Sequence, residues 1–152
     1  MLSNMERFDQ LTGAVFARLY EAFPEPVALD ALPFLRDIVP EGQDFETENE
    51  QAFNAPEFFG YTVRWLTETG YLTHAEGYVD RPFTFENCVL TAKGLEALKA
   101  TPISIANGKS IGQSLQDAAK NGALEPIKKL SGEALSAGVH LVIGAAKAHL
   151  PG

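Results

Sequence analysis

Residues 53–98 constrain the fold most, because turn chemistry and apolar spacing agree there over two helices and the strands between them. Asn54 is a good N-cap and Glu57 stands three positions on, an asparagine form of the capping box in which each side chain satisfies a free backbone N–H. Phe53 and Phe58 occupy the two positions of a hydrophobic staple. Pro56 falls in the first turn, where a missing N–H costs nothing. Gly70 supplies the left-handed residue that ends such a helix. Between these signals Phe59, Val63 and Leu66 make one line and Phe58, Thr62, Trp65 and Thr69 the adjacent one, together a broad buried face. Glu57, Gly60, Tyr61, Arg64, Thr67 and Glu68 are left on the opposite face.

Residues 71–74 read as a short strand. Gly77, Asp80 and Pro82 are turn residues, and 83–90 is the return strand with Phe83, Phe85 and Val89 as its bulkiest apolar members. Thr91 then caps a helix to Lys99 that buries Leu95 and Leu98. The order helix, glycine, hairpin, followed by Val89-Leu90-Thr91-x-x-Gly94-x-x-x-Leu98, resembles the second half of a winged helix-turn-helix domain. In that family residues 55–69 would be the recognition helix and 71–90 the wing. The resemblance implies a mainly α fold with a small β-hairpin wing: a winged-helix-like domain over 1–100 and a C-terminal helical extension over 101–152. It also implies DNA binding, the function most often attached to the family, and dimerisation through helices outside the wing domain.

Upstream, Ser3 and Glu6 make another capping box and open a helix to about Phe23. Its stripe is Phe8, Leu11, Val15, Leu19 and Phe23, flanked by Phe16 and Tyr20, and Pro24 and Pro26 stop it. Residues 27–29 are a short strand, where a winged helix pairs a third strand with its wing. Asp30 reads as the cap of a helix to Ile38, with Leu32, Leu35 and Ile38 inward. Residues 40–51 then carry Glu41, Asp44, Glu46, Glu48 and Glu50 and no base. This is a solvated loop, an acidic docking surface for a basic partner, or an arm lying over a basic face. It makes the turn between the second and third helices about sixteen residues long, where the resembled family has a short one.

Charge separates the function classes. Through Ala100 there are 17 acidic and 7 basic residues, a net of −10; from Thr101 on there are 3 and 5, a net of +2. An acidic body does not attract phosphate or anionic lipid. Firm duplex binding at physiological salt needs on the order of six phosphate contacts, yet the supposed recognition face carries one base, Arg64, against Glu57 and Glu68. Arg64 could contact a guanine, or pair with Glu68 at the i, i+4 spacing. Cys88 is the single cysteine, which fits a reducing cytoplasm. The first ten residues show no secretory signal, and no apolar run approaches the length of a membrane span.

Residues 109–120 form an amphipathic helix with Ile111, Leu115 and Ala118 or Ala119 on one side, and Asn121-Gly122 ends it. A last helix runs from Leu124 to about Leu150, interrupted by Gly132, Gly138 and Gly144. Each glycine costs about 1 kcal/mol against alanine in a helix interior, which suggests the close approach of another backbone. Either this helix packs on its own domain, or it pairs with a second copy through Gly132, Leu135, Gly138, Val139, Val142 and Gly144; for a third reading, binding to a membrane surface, Lys128, Lys129 and Lys147 are too few.

No chemistry-bearing constellation is evident. His74, His140 and His149 lack metal-site spacing, Cys88 sits among apolar residues, and Gly108-Lys109-Ser110 lacks the upstream glycine of a phosphate loop, position 103 being isoleucine. No catalytic residue, metal or cofactor is therefore expected. The reading is a non-enzymatic acidic winged-helix protein acting as a protein–protein interaction or regulatory module, with Glu57, Tyr61, Arg64, Thr67, Glu68 and Arg81 as its candidate face. The alternative is an atypical DNA-binding transcriptional regulator using 55–69 as recognition helix and 71–90 as wing.

Overall fold

The N-terminal capping box forms as its spacing predicts. The Ser3 hydroxyl accepts the Glu6 N–H at 3.1 Å, and the Ser3 N–H donates to the Glu6 carboxylate at 2.8 Å. This opens α1 (Asn4–Ala22). The structure is a computed structural model, described over residues 2–35, 54–75 and 84–148. Leu11, Val15, Phe16 and Leu19 of α1 are buried, whereas Phe8 and Phe23 are half-buried at the ends of the stripe.

Strand β1 (Val27–Asp30) follows, then the short α2 (Leu32–Leu35). Asp30 is not a helix cap. Its backbone pairs with Thr84 in the sheet, so the turn begins one residue later, with the Phe34 N–H bonded to the Ala31 carbonyl at 2.9 Å. The one-residue shift leaves Leu32 exposed while Leu35 stays buried. Ile38, the acidic residues 40–51, Phe53, Arg81 and Phe83 lie outside the described residues.

Helix α3 (Ala55–Glu68) buries Ala55, Phe59, Thr62, Val63 and Leu66. Gly70 takes φ +85°. The Gly70 N–H bonds to the Thr67 carbonyl at 3.1 Å and the Tyr71 N–H to the Leu66 carbonyl at 2.9 Å, the paired bonds of a Schellman ending. Trp65, expected inside, is 42% exposed. It sits at the border of the face, edge-on to Phe8 at 5.3 Å and stacked on Tyr71 at 6.5 Å.

Strands β2 (Leu72–Thr73) and β3 (Thr84–Leu90) complete a three-stranded antiparallel sheet in the order β1-β3-β2. Val27 pairs with Cys88 but Leu29 with Phe85, so β3 holds an extra residue, and Asn87 takes φ +53°. One added residue exchanges the faces of a strand. Cys88 and Leu90 are therefore the buried members, while Phe85 and Val89 are only half-buried.

Thr91 caps α4 (Ala92–Lys99), its hydroxyl oxygen accepting the Gly94 N–H at 3.1 Å. Gly94 is required by contact: a Cβ there would lie 2.1 Å from the Tyr71 carbonyl oxygen. Helix α5 (Ile111–Lys120) starts two residues later than its spacing suggests, because Ser110 and Gln113 form a capping box of their own. Its Ile111, Leu115 and Ala118 are buried. Helix α6 (Leu124–Ala148) contributes Ile127, Leu130 and Ala134 to the same core cluster as α1, α3 and the sheet. The architecture is thus mainly α with a small antiparallel sheet, and its last two helices complete the core of the preceding hundred residues.

Candidate interaction surfaces

Two outward faces carry the residues that the sequence singles out. On α3, the Asn54 side chain accepts the Glu57 N–H at 3.1 Å, but the return bond of a full capping box is not formed. The Glu57 carboxylate instead accepts the Tyr61 hydroxyl at 2.7 Å, one turn along the same face. That hydrogen bond, and then the carboxylate charge, hold the Tyr61 phenol above its usual pKa. The Arg64 guanidinium stands 5.9 Å from the Tyr61 ring centre. Arg64 makes no ion pair with Glu68 among the described residues. Glu57, Tyr61 and Arg64 are thus engaged with one another along one exposed ridge. Glu68 is exposed beside them. Thr67 is half-buried, its hydroxyl turned back to the Val63 carbonyl at 2.9 Å, so it offers little to a partner.

Tyr71 ties α3, the sheet, α4 and α6 together. Its hydroxyl donates to the Leu135 carbonyl at 2.7 Å, and its ring packs near Phe16 at 5.8 Å. Lys93 places its ammonium 4.3 Å from that ring's centre and donates to the Thr69 carbonyl at 2.7 Å, a cation at the end of α3. Burial raises the Tyr71 phenol pKa. A Cβ at Gly138 would lie 2.5 Å from the Tyr71 ring. Gly138 and Leu135, expected at a contact between copies, therefore serve packing within the chain. Gly138 does mark a close approach, but of an aromatic ring of the same chain.

The other side of α6 is different. Gly132 is exposed, and a Cβ there would meet nothing within 4 Å. From residue 139 to 143 every side chain is exposed, with Val139 at 51%, Leu141 at 43%, Val142 at 52% and Ile143 at 45%. Gly144 lies within α6, and its surroundings are outside the described residues. A groove of about 400 Å³ runs between α6 and the connection from α4 to α5, lined by Thr101, Ile103, Ile111, Gly132, Ser136 and His140 among others. Glu133 fixes its wall, its carboxylate accepting the Ile103 N–H at 2.7 Å and both the Ser104 N–H and hydroxyl at 2.8 Å. Ile103 is left 92% exposed at the rim. Glu133 is not legible in the sequence, because no local spacing connects it to residues thirty positions away.

Cys88 is buried, and burial pushes its thiol up to about 11. His74 lies on the sheet's edge strand side, its Nδ1 2.9 Å from the Ala75 carbonyl. Among the described residues no group of three or more His, Cys, Asp and Glu could hold a metal ion, and no helix is long and apolar enough to cross a membrane. No family model, curated protein or solved structure matches the chain.

Proposed function

We propose that the chain is a non-enzymatic protein-interaction module, a winged-helix-like body that presents the end of α6 to a protein partner. The observation that carries this reading is the run from Val139 to Ile143, exposed on every side and apolar at four of five positions. A helix packed on a body normally shows one apolar stripe; here apolar residues surround the helix where it leaves the core. Covering these four half-exposed side chains would contribute roughly 4 kcal/mol, at about 2 kcal/mol for a whole aliphatic side chain. The strand order β1-β3-β2 and the Thr91–Gly94 junction support the winged-helix likeness. A reducing, cytoplasmic setting accords with a single buried thiol.

The DNA-binding alternative rests on α3 as recognition helix. Its outward base, Arg64, stacks on Tyr61 beside two carboxylates, and Lys93 at its end is engaged with Thr69. These engagements favour a protein partner over a phosphate backbone.

The test is photo-crosslinking in the cells that make the protein. A photoreactive residue at position 142 should form an adduct with a protein, whereas one at exposed Glu96 on α4 should not. A folded variant that gives no adduct from position 142 overturns the reading.

A further inference from the structure

We propose that the partner at this surface is a second copy of the chain, with the two α6 helices antiparallel about a two-fold axis near residues 137 and 138. This rests on the contact-surface reading above and names its occupant. At 100° per residue, Ile127, Leu130, Ala134 and Gly138 fall on one side of α6, and all four are buried against the body. Gly132, Ser136, Val139 and Ile143 fall on the opposite side, all exposed, at spacings of four, three and four. That is the seam spacing of a coiled coil, in which side chains of one helix enter the spaces of its neighbour. The seam is complementary to itself when reversed: Gly132 meets Ile143 of the second copy, and Ser136 meets its Val139. Each small residue thus faces a large one, twice over by symmetry. The open space over Gly132 is continuous with the groove between Ile103 and Ile111, which receives the incoming isoleucine.

Charge fits this occupant, and area sets its strength. Between Glu133 and Lys147 the sequence has no Asp, Glu, Lys or Arg, so copies whose net charge is −8 can meet here without like charges facing across the axis. Contacts through the acidic body would be opposed by repulsion. The exposed parts of Ile103, Val139 and Ile143, which line the seam and its groove, amount to roughly 200 Å² per copy, taking about 100 Å² for a whole aliphatic side chain. A standard interface buries about 800 Å² per partner, somewhat over half of it apolar. The seam thus supplies under half of the apolar area of a standard interface, and a weak, reversible dimer with Kd on the order of 100 µM is expected.

Sedimentation equilibrium of the full chain from 1 to 500 µM should show a reversible monomer–dimer equilibrium. Gly132→Leu projects into open space on the monomer, so the variant folds, but it should weaken the dimer at least tenfold by filling the seat of Ile143. Adding Ile143→Ala to Gly132→Leu should restore most of the affinity, because large and small have exchanged places. A dimer insensitive to Gly132→Leu overturns the seam. A monomer at 500 µM overturns the second copy as occupant. In that case an adduct from position 142 with a different protein leaves the contact-surface reading standing, and no adduct overturns both.

Discussion

Alanine at Gly138 and at Gly132 should move stability in opposite directions, although both sites lie in one helix six residues apart. Both substitutions gain the helix propensity that glycine forfeits, about 1 kcal/mol. At Gly132 nothing offsets the gain, since no atom stands within 4 Å of the new methyl. At Gly138 the methyl would lie 2.5 Å from Tyr71 Cε1 and 2.6 Å from its hydroxyl oxygen. Carbon atoms settle about 3.5–4.0 Å apart, so ring and helix must separate by about 1 Å. The ring has little room, with Phe16 and Trp65 beside it, Lys93 over it and its hydroxyl held by Leu135. Overpacking costs about 1–3 kcal/mol, and loss of the buried hydrogen bond about 1 kcal/mol more. Set against the propensity gain, Gly138→Ala should destabilise by about 2 kcal/mol, and Gly132→Ala should stabilise by about 1 kcal/mol. Urea unfolding followed by circular dichroism at 1 µM, below the dimerisation range, measures both. Trp65, the single tryptophan, stacks on Tyr71, so its emission should change in Gly138→Ala and not in Gly132→Ala. Equal stabilisation by the two alanines would refute the seating of α6 on Tyr71.

Cys88 should resist alkylation at pH 8 in the folded protein and react promptly in urea, followed by mass spectrometry; rapid labelling of the native state would contradict its burial. Because its folded-state pKa is raised from 9.0 to about 11, the thiol's contribution is fully present at neutral pH and fades as pH climbs through that window, so a Cys88→Ala variant should show a smaller alkaline decline, the part due to the raised Tyr71 phenol remaining. Glu133→Ala removes three acceptor contacts at the connection, and the Ile103 and Ser104 amides should exchange with solvent at least tenfold faster while the core amides keep their protection. Unchanged exchange at those two amides would mean that the carboxylate does not hold the groove wall. Asn54→Ala should cost about 1 kcal/mol in urea unfolding, and no loss would show that the cap bond to Glu57 contributes nothing.

What could be read from the sequence was local. Ser3, Asn54 and Thr91 cap helices, and Gly70 ends one, through bonds that span three to five residues, so spacing alone reveals them. The box of Ser110 and Gln113 has the same spacing and is equally legible, and it sets the start of that helix at Ile111 rather than Lys109. Glu57 shows where local rules compete, since Asn54 and Tyr61 both offer its carboxylate a donor and the tyrosine takes it. The inward face of β3 could not be read, because the extra residue at Asn87 is defined only by pairing with β1. The glycines of α6 announced their cost but not their reason. Tyr71, which justifies Gly138, is 67 positions away in sequence, and the emptiness above Gly132 is a property of the folded surface.

Gly94 has a consequence for ancestry. The Tyr71 carbonyl oxygen occupies the space of any side chain at that position, so drift cannot replace the glycine without moving α4 off the sheet. The exposed ridge of α3 carries no such steric bar to substitution. A distant descendant of the same ancestor that shares few residues overall should still keep a capping threonine or serine followed three residues later by glycine, at the point where the sheet hands over to a helix. That pair, more than any surface residue, is the hallmark by which such kin would be known.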